Sequence, residues 1–203
     1  MNQGTLIVIV VSVLLVVWYV AAHLYNRRRG IRLRQWLETA VDALGGEKEG
    51  GWLGSPASGA RINVRRAQTP FRRLEATLLL QNREIPLLWL LDELRGRRDR
   101  VVIRATLRSP RRGEVWVTSA EPPNGRTETW MLKDGPHGLS ISYRGHNGRQ
   151  LMTALNPWLE AYGAHLNRFH WRKHDPHINL QLRTAGLLKT KAESFLTDLS
   201  TAL

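Results

Sequence analysis

The chain has 203 residues, 42% of them hydrophobic and 23% charged, which is enough apolar content for one folded domain with an appendage. It contains no cysteine, which excludes disulfides, thiolate zinc sites, iron–sulfur clusters and cysteine nucleophiles. Thirty Lys and Arg stand against seventeen Asp and Glu, a formal charge of +13, and a surplus of that size points toward polyanionic partners.

The chain opens on an apolar run from Leu6 to Ala22, with Ser12 as the only polar interruption, and Leu24 and Tyr25 extend it past His23. A helix of that length rises about 25–30 Å, sufficient to cross a hydrocarbon core. Val and Ile dominate the run and disfavour helix in water, but in lipid the backbone must satisfy its own hydrogen bonds, so helix wins. Trp18, Tyr19 and Tyr25 fall toward its end, where amphipathic rings prefer the headgroup level. A cleaved signal peptide is the competing reading and expects a positive segment before the run. Met1 to Thr5 carries no charged side chain, whereas Arg27, Arg28, Arg29, Arg32 and Arg34 follow the run as a stop-transfer cluster. The expectation is a single-pass anchor in the cell membrane, with the N-terminus outside and the remainder in the cytoplasm.

Leu33, Trp36, Leu37, Ala40, Val41 and Leu44 then recur at helical spacing and end at Gly45-Gly46. This stripe is expected to pack on the domain or on a second copy, giving a homo-oligomer through 31–44. Glu38 and Asp42 on its polar side argue against an anionic membrane surface. Six glycines, two serines and a proline between 45 and 60 read as a flexible linker.

From Arg61 the period becomes two. Ile62 and Val64, then Leu74 to Leu80, alternate as strands, and Pro86 to Leu94 reads as a helix opened by proline and followed by Gly96. Its Leu-Leu-Trp-Leu-Leu sequence is that of a core element. Strands are expected at 101–108, 114–119, 127–133 and 139–144, separated by turn chemistry. A helix follows at about 148–162, then strands at 166–172 and 178–183, and a last helix from Ala185 to about Ala202. The fold class is α+β: an N-terminal transmembrane helix, then a mostly antiparallel sheet of six to eight strands covered by two or three helices. The expected division is an anchor over 1–25, a basic juxtamembrane and amphipathic helix over 26–46, a linker over 47–60 and the α+β domain over 61–203.

Phosphate-binding glycine loops, H-E-x-x-H, G-x-S-x-G, EF-hand and kinase signatures do not occur in the sequence. Four histidines, His165, His170, His174 and His177, crowd one hairpin, and His170, His174 and His177 are candidate metal ligands. Arg168, Arg172 and Lys173 beside them would repel a dication, so a solvated hairpin is favoured. Alternation points Arg168, His170 and Arg172 outward beside His177, Asn179, Gln181 and Arg183, a polar, cationic strip with donors suited to phosphates.

The positive charge is uneven. Residues 51–113 hold 14 basic against 5 acidic side chains, whereas 114–203 hold 10 against 8. The candidate residues for an anionic partner are Arg65, Arg66, Arg72, Arg73, Arg97, Arg98, Arg111, Arg112, Arg168 and Arg172. Nucleic acid would call for aromatics interleaved with the arginines, and within the basic stretch only Phe71 qualifies. Anionic lipid needs only charge near the bilayer. Trp89, Trp158 and Trp171 sit on apolar faces and read as core, while Trp116 and Trp130 read as exposed. The expected function is a non-catalytic interaction or scaffold module at the membrane surface, binding anionic lipid headgroups or an acidic protein. The alternatives are a membrane-tethered nucleic-acid binder and an enzyme with its site at the 165–177 hairpin. No cofactor is called for.

Overall fold

The computed structural model describes residues 2–109, 113–119 and 130–203. Its first element, α1 (Gln3–Asp42), carries the apolar run, the arginine cluster and the amphipathic stripe as one unbroken helix of 40 residues. Up to Ala21 its described side chains are exposed, and this part is long and apolar enough to cross a membrane. From Asn26 onward one stripe turns inward: Leu33, Trp36, Leu37, Ala40 and Val41 are buried, as is Leu44 just beyond. Two expected segments are therefore a single rod, because no Gly-Pro pair or polar cap separates them.

The strands β1 (Glu47–Trp52), β2 (Gly59–Arg65) and β3 (Phe71–Leu79) precede helix α2 (Pro86–Leu94). Then come β4 (Arg100–Leu107), β5 (Glu114–Thr118), β6 (Met131–Asp134), β7 (Ser140–Arg144) and helix α3 (Gly145–Tyr162). The chain ends with β8 (Leu166–Trp171), β9 (Ile178–Arg183) and α4 (Ala192–Ala202). The strands form one sheet in the order β1-β2-β3-β4-β9-β8-β5-β7-β6, with every pair antiparallel.

The α+β architecture is as the sequence predicts, with nine strands among the described residues where six to eight were expected. The extra strand is β1, which lies in the segment expected as a linker. Its sequence, Glu-Lys-Glu-Gly-Gly-Trp, has no apolar alternation because it is an edge strand exposed from Glu47 to Gly51, and its charges protect that edge from a second sheet. Gly46 (φ 94°) makes the turn into it, where an added Cβ would lie 2.6 Å from Arg65 O. Of the strand expected at 127–133, residues 131–133 belong to β6, which ends at Asp134; 127–129 lie outside the described residues. The last helix begins seven residues later than expected, because Gly186 (φ 75°) and an extended Thr190 break the chain first.

One face of the sheet is covered. The second half of α1 packs on β2, β3 and α4, and α3 packs on β5, β7 and α4. Their rings meet in an aromatic knot: Phe195 lies 5.3 Å from Trp36, 5.5 Å from Trp158 and 5.0 Å from Tyr162. Each large apolar side chain so buried contributes about 1.5–3 kcal/mol. The boundary expected at 61 therefore does not bound a folding unit, since Leu33, Trp36 and Leu37 belong to the same core. Helix α1 also closes tightly on the 53–58 turn, where an added Cβ on Gly30 would sit 2.0 Å from Pro56 O.

Tyr162 is buried in this knot, its hydroxyl donating to Asp198 Oδ2 at 2.8 Å and lying 3.1 Å from Ser194 Oγ. Burial pushes its pKa above the usual 10, a shift opposed by the Ser194 hydrogen bond and reinforced by the Asp198 carboxylate. The folded state thus holds this proton more tightly than the unfolded state. Its contribution is fully present below pH 10 and is lost as pH rises through the raised value. Urea midpoints measured from about pH 9 to 11 should fall more steeply for the parent than for Tyr162→Phe.

Candidate functional site

Among the described residues no helix lies on the second face of the sheet. Strand alternation and register set what it presents. One row of directly opposed residues runs Glu49, Asn63, Glu75, Arg104, Asn179, His170, Trp116, Ser142, Leu132 across the sheet. The next runs Gly51, Arg61, Thr77, Val102, Gln181, Arg168, Thr118, Ser140, Asp134. The cations stand in the middle strands, while Glu47 and Glu49 mark the β1 edge.

At one end of this face Arg65, Arg73, Arg104 and Arg172 line an open groove of about 500 Å3, together with Asn63, Glu75, Thr106, Asp175 and Asn179. Asp175 takes a hydrogen bond from Thr106 Oγ1 and lies 3.5 Å from Arg73. Glu75 lies 3.4 Å from Arg61. Among the described residues, Arg65, Arg104 and Arg172 make no ion pair. Two buried polar atoms of the groove, Arg172 Nε and Asn179 Oδ1, have no hydrogen-bond partner there, which leaves a donor and an acceptor for an incoming group. Further along the face, Trp116 is flanked by His170, with ring centres 4.2 Å apart, and by the Arg168 guanidinium at 5.2 Å.

A larger groove, about 630 Å3, opens at the opposite end, beside α2. Its arginines are largely engaged: Arg97 lies 3.3 Å from Asp92, and Arg98 pairs with Glu93. On its wall is Asp99, whose side chain is 2% exposed. Asp99 accepts from Arg83 Nη1 and Nη2 at 2.9 and 3.0 Å, from Arg29 Nε at 2.7 Å and from the Gln81 N–H at 2.8 Å. Arg29 also donates to Thr184 Oγ1 at 2.9 Å, and Arg83 to Asn26 Oδ1 at 2.9 Å. The buried Asn26 in turn donates to Gln81 O at 3.0 Å. One carboxylate thus ties α1 to the ends of β3, β4 and β9.

Beyond this clasp α2 lies beside the apolar part of α1. Trp18 Nε1 donates to Arg83 O at 2.9 Å, the Trp18 and Trp89 ring centres are 5.4 Å apart, and His23 Nδ1 lies 2.8 Å from Glu84 Oε1. The expectation of a core helix is overturned, since α2 has no buried residue. Leu87, Leu88, Leu90, Leu91 and Leu94 are all exposed, Leu94 at 76%. An apolar run says that a helix avoids water, but it does not say which apolar surroundings receive it.

The ten candidate arginines are thus divided. Arg65, Arg73 and Arg172 share one groove, with Arg104, an outward residue by strand alternation but not one of the ten candidates, as a fourth member. Arg168 stands on the same face. Arg66 and Arg72 are exposed nearby, with Arg66 paired to Glu47 at 2.6 Å. Arg97 and Arg98 lie at the other end, and Arg111 and Arg112 fall outside the described residues. Of the juxtamembrane set, Arg27, Arg28 and Arg32 are exposed, while Arg29 is committed to Asp99. Arg34 bonds Glu38 at 2.9 Å and stacks 4.4 Å above Trp52.

The histidines do not converge. His177 is buried, and its Nδ1 accepts from the Leu107 N–H at 3.1 Å. His165 Nδ1 faces Ala185 O at 3.0 Å, His170 packs on Trp116, and His174 is exposed. Among the described residues no group of three or more His, Asp or Glu is placed to hold a metal, so the ligand set His170, His174 and His177 does not form. Phe71, the aromatic expected to stack among the arginines, is fully buried. Neither a protein-family model nor a curated protein matches the chain.

Proposed function

We propose that this chain is a single-pass membrane protein whose cytoplasmic α+β domain is a non-catalytic interaction module, and that its arginine-bearing sheet face takes an acidic polypeptide. The observation that carries the reading is the groove of Arg65, Arg73, Arg104 and Arg172, with unsatisfied buried polar atoms at its floor. Guanidinium groups gathered along one groove match carboxylates in geometry as well as charge. The five arginines after the apolar run support the cytoplasmic orientation.

Direct docking of this groove on anionic lipid is disfavoured by distance. Helix α1 meets the sheet near Gln81 at Asn26, and near Arg65 at Leu44 to Gly46. That is about 27 Å of helix, more than three Debye lengths at physiological salt. The groove is thus set apart from the surface that the anchor enters, within reach of a partner in solution.

A second reading, a membrane-tethered nucleic-acid binder, is favoured by one observation: Trp116, His170 and Arg168 put stacking groups on the cationic face. The test uses the full chain in neutral phosphatidylcholine nanodiscs, because a fragment starting at Glu47 would lose core residues of α1. Poly-glutamate and a short single-stranded oligonucleotide are titrated at several salt concentrations, with acidic vesicles as a third arm. Salt-sensitive poly-glutamate binding supports the proposal. Tighter oligonucleotide binding with a steep salt slope transfers it to the second reading, and binding to acidic vesicles alone overturns both.

A further inference from the structure

We infer that α2 is a second membrane contact, lying in the interfacial zone of the same leaflet that α1 enters on its cytoplasmic side. The inference rests on α1 being a membrane anchor, and its content is the role of α2.

Four observations converge. The helix is nine residues long, about 13 Å, too short to span, yet its leucines are exposed and none of its residues is buried. Its position is held by specific bonds: the Trp18 indole N–H on Arg83 O, and Trp89 against the Trp18 ring. Trp18 lies inside the apolar run, seven residues before Tyr25 and so about 10 Å below it along the helix. That is the depth at which interfacial helices bury their apolar side.

Charge agrees as well. Glu84, Asp92 and Glu93, the carboxylates that a membrane would repel, are each half-buried beside His23, Arg97 and Arg98 respectively. The exposed Arg95 and Arg100 follow at the level of the headgroups. A second copy of the chain could cover the same leucines, but it would leave the clasp that sets the helix at this depth without consequence. Two contacts at different points fix the domain relative to the bilayer, where a single rod would leave it free to spin. The Arg100 and Arg183 end is held down, and the Arg65 and Arg73 end is held out.

The chain has no cysteine, so one introduced cysteine carries a unique label. The environment-sensitive fluorophore NBD is placed on Leu87→Cys, Leu94→Cys, Val13→Cys and Gln68→Cys, each in the full chain. The proteins are reconstituted in phosphatidylcholine–phosphatidylglycerol vesicles with and without brominated acyl chains. The labels at 87 and 94 should emit in the blue and be quenched by bromine several-fold more than the label at 68, approaching the label at 13. Water-like emission at 87 and 94, with 13 quenched, overturns the inference and leaves the anchor standing. Blue emission at 87 and 94 without bromine quenching also overturns it, assigning the leucines to a second copy. A label at 13 that bromine does not quench removes the anchor and this inference together.

Discussion

Asp99→Ala should be the most damaging single substitution outside the apolar core, lowering stability by about 3–5 kcal/mol. The size follows from what is left behind. Asp99 is the only carboxylate among the described residues within ion-pair distance of Arg29 or Arg83, whose side chains are 25% and 19% exposed. Removing it strands two partly buried guanidinium groups and the Gln81 N–H. Simple loss of a surface ion pair would cost less than about 1 kcal/mol. For a domain of this size the loss corresponds to a melting temperature lower by about 10 °C. Asp99→Asn keeps the shape and one acceptor but surrenders the charge, so an intermediate loss is expected. Thermal melts of the full chain in detergent, followed by near-ultraviolet circular dichroism, provide the readout. Parent-like melting of Asp99→Ala would mean that Asn26 and Thr184 hold the junction without the carboxylate.

Arg73→Glu combined with Arg104→Glu should weaken poly-glutamate binding by about 100-fold, with little change in folding. Each reversal replaces an attractive contact by a repulsive one. At exposed positions two such changes amount to about 3 kcal/mol in total. Neither side chain is buried, and surface substitutions of this kind usually shift stability by about 0.5 kcal/mol or less. Adding Arg172→Glu should deepen the loss, at some cost in stability because its Nε is buried. The control is Arg97→Glu with Arg98→Glu, which carries the same change in net charge at the far end of the molecule. If the control pair reduces binding equally, total charge rather than the groove is the binding determinant, and the site assignment fails.

The two predictions concern opposite ends of the domain, and both turn on residues that look alike in the sequence. Arg83 and Arg104 are each single arginines near apolar segments. One is a structural partner of a buried carboxylate and the other a solvent-facing member of a groove. The difference comes from register. Arg104 is opposed to Glu75 and Asn179 on the arginine-bearing face, whereas Arg83 follows β3 into the junction with α1.

Local pattern determined a good deal by itself. The spacing of Leu33, Trp36, Leu37, Ala40, Val41 and Leu44 marks a helix with one buried side. The alternation in 62–80, 101–107 and 178–183 marks strands with one face in the core, because side-chain direction repeats every 3.6 residues in a helix and every two in a strand. The division of the sheet into an apolar face and an arginine-bearing face follows from the same period, and so does the outward grouping of Arg168, His170 and Arg172. An unbroken apolar run followed by arginines likewise declares a helix able to cross a membrane.

Tertiary structure alone decided the rest. β1 is a strand only because β2 offers it an edge; of its own residues Trp52 alone is partly buried against the core. Asp99, within a run of arginines, is indistinguishable from a solvated charge until four donors from two separate segments, Arg29 and the Gln81–Arg83 stretch, close on it. Helix α2 has the composition of a core helix, and hydrophobicity is non-directional, so its sequence cannot say whether protein or lipid receives it. Its packing against Trp18 is a contact between residues about seventy positions apart, and a separation of that length leaves no local trace in the sequence.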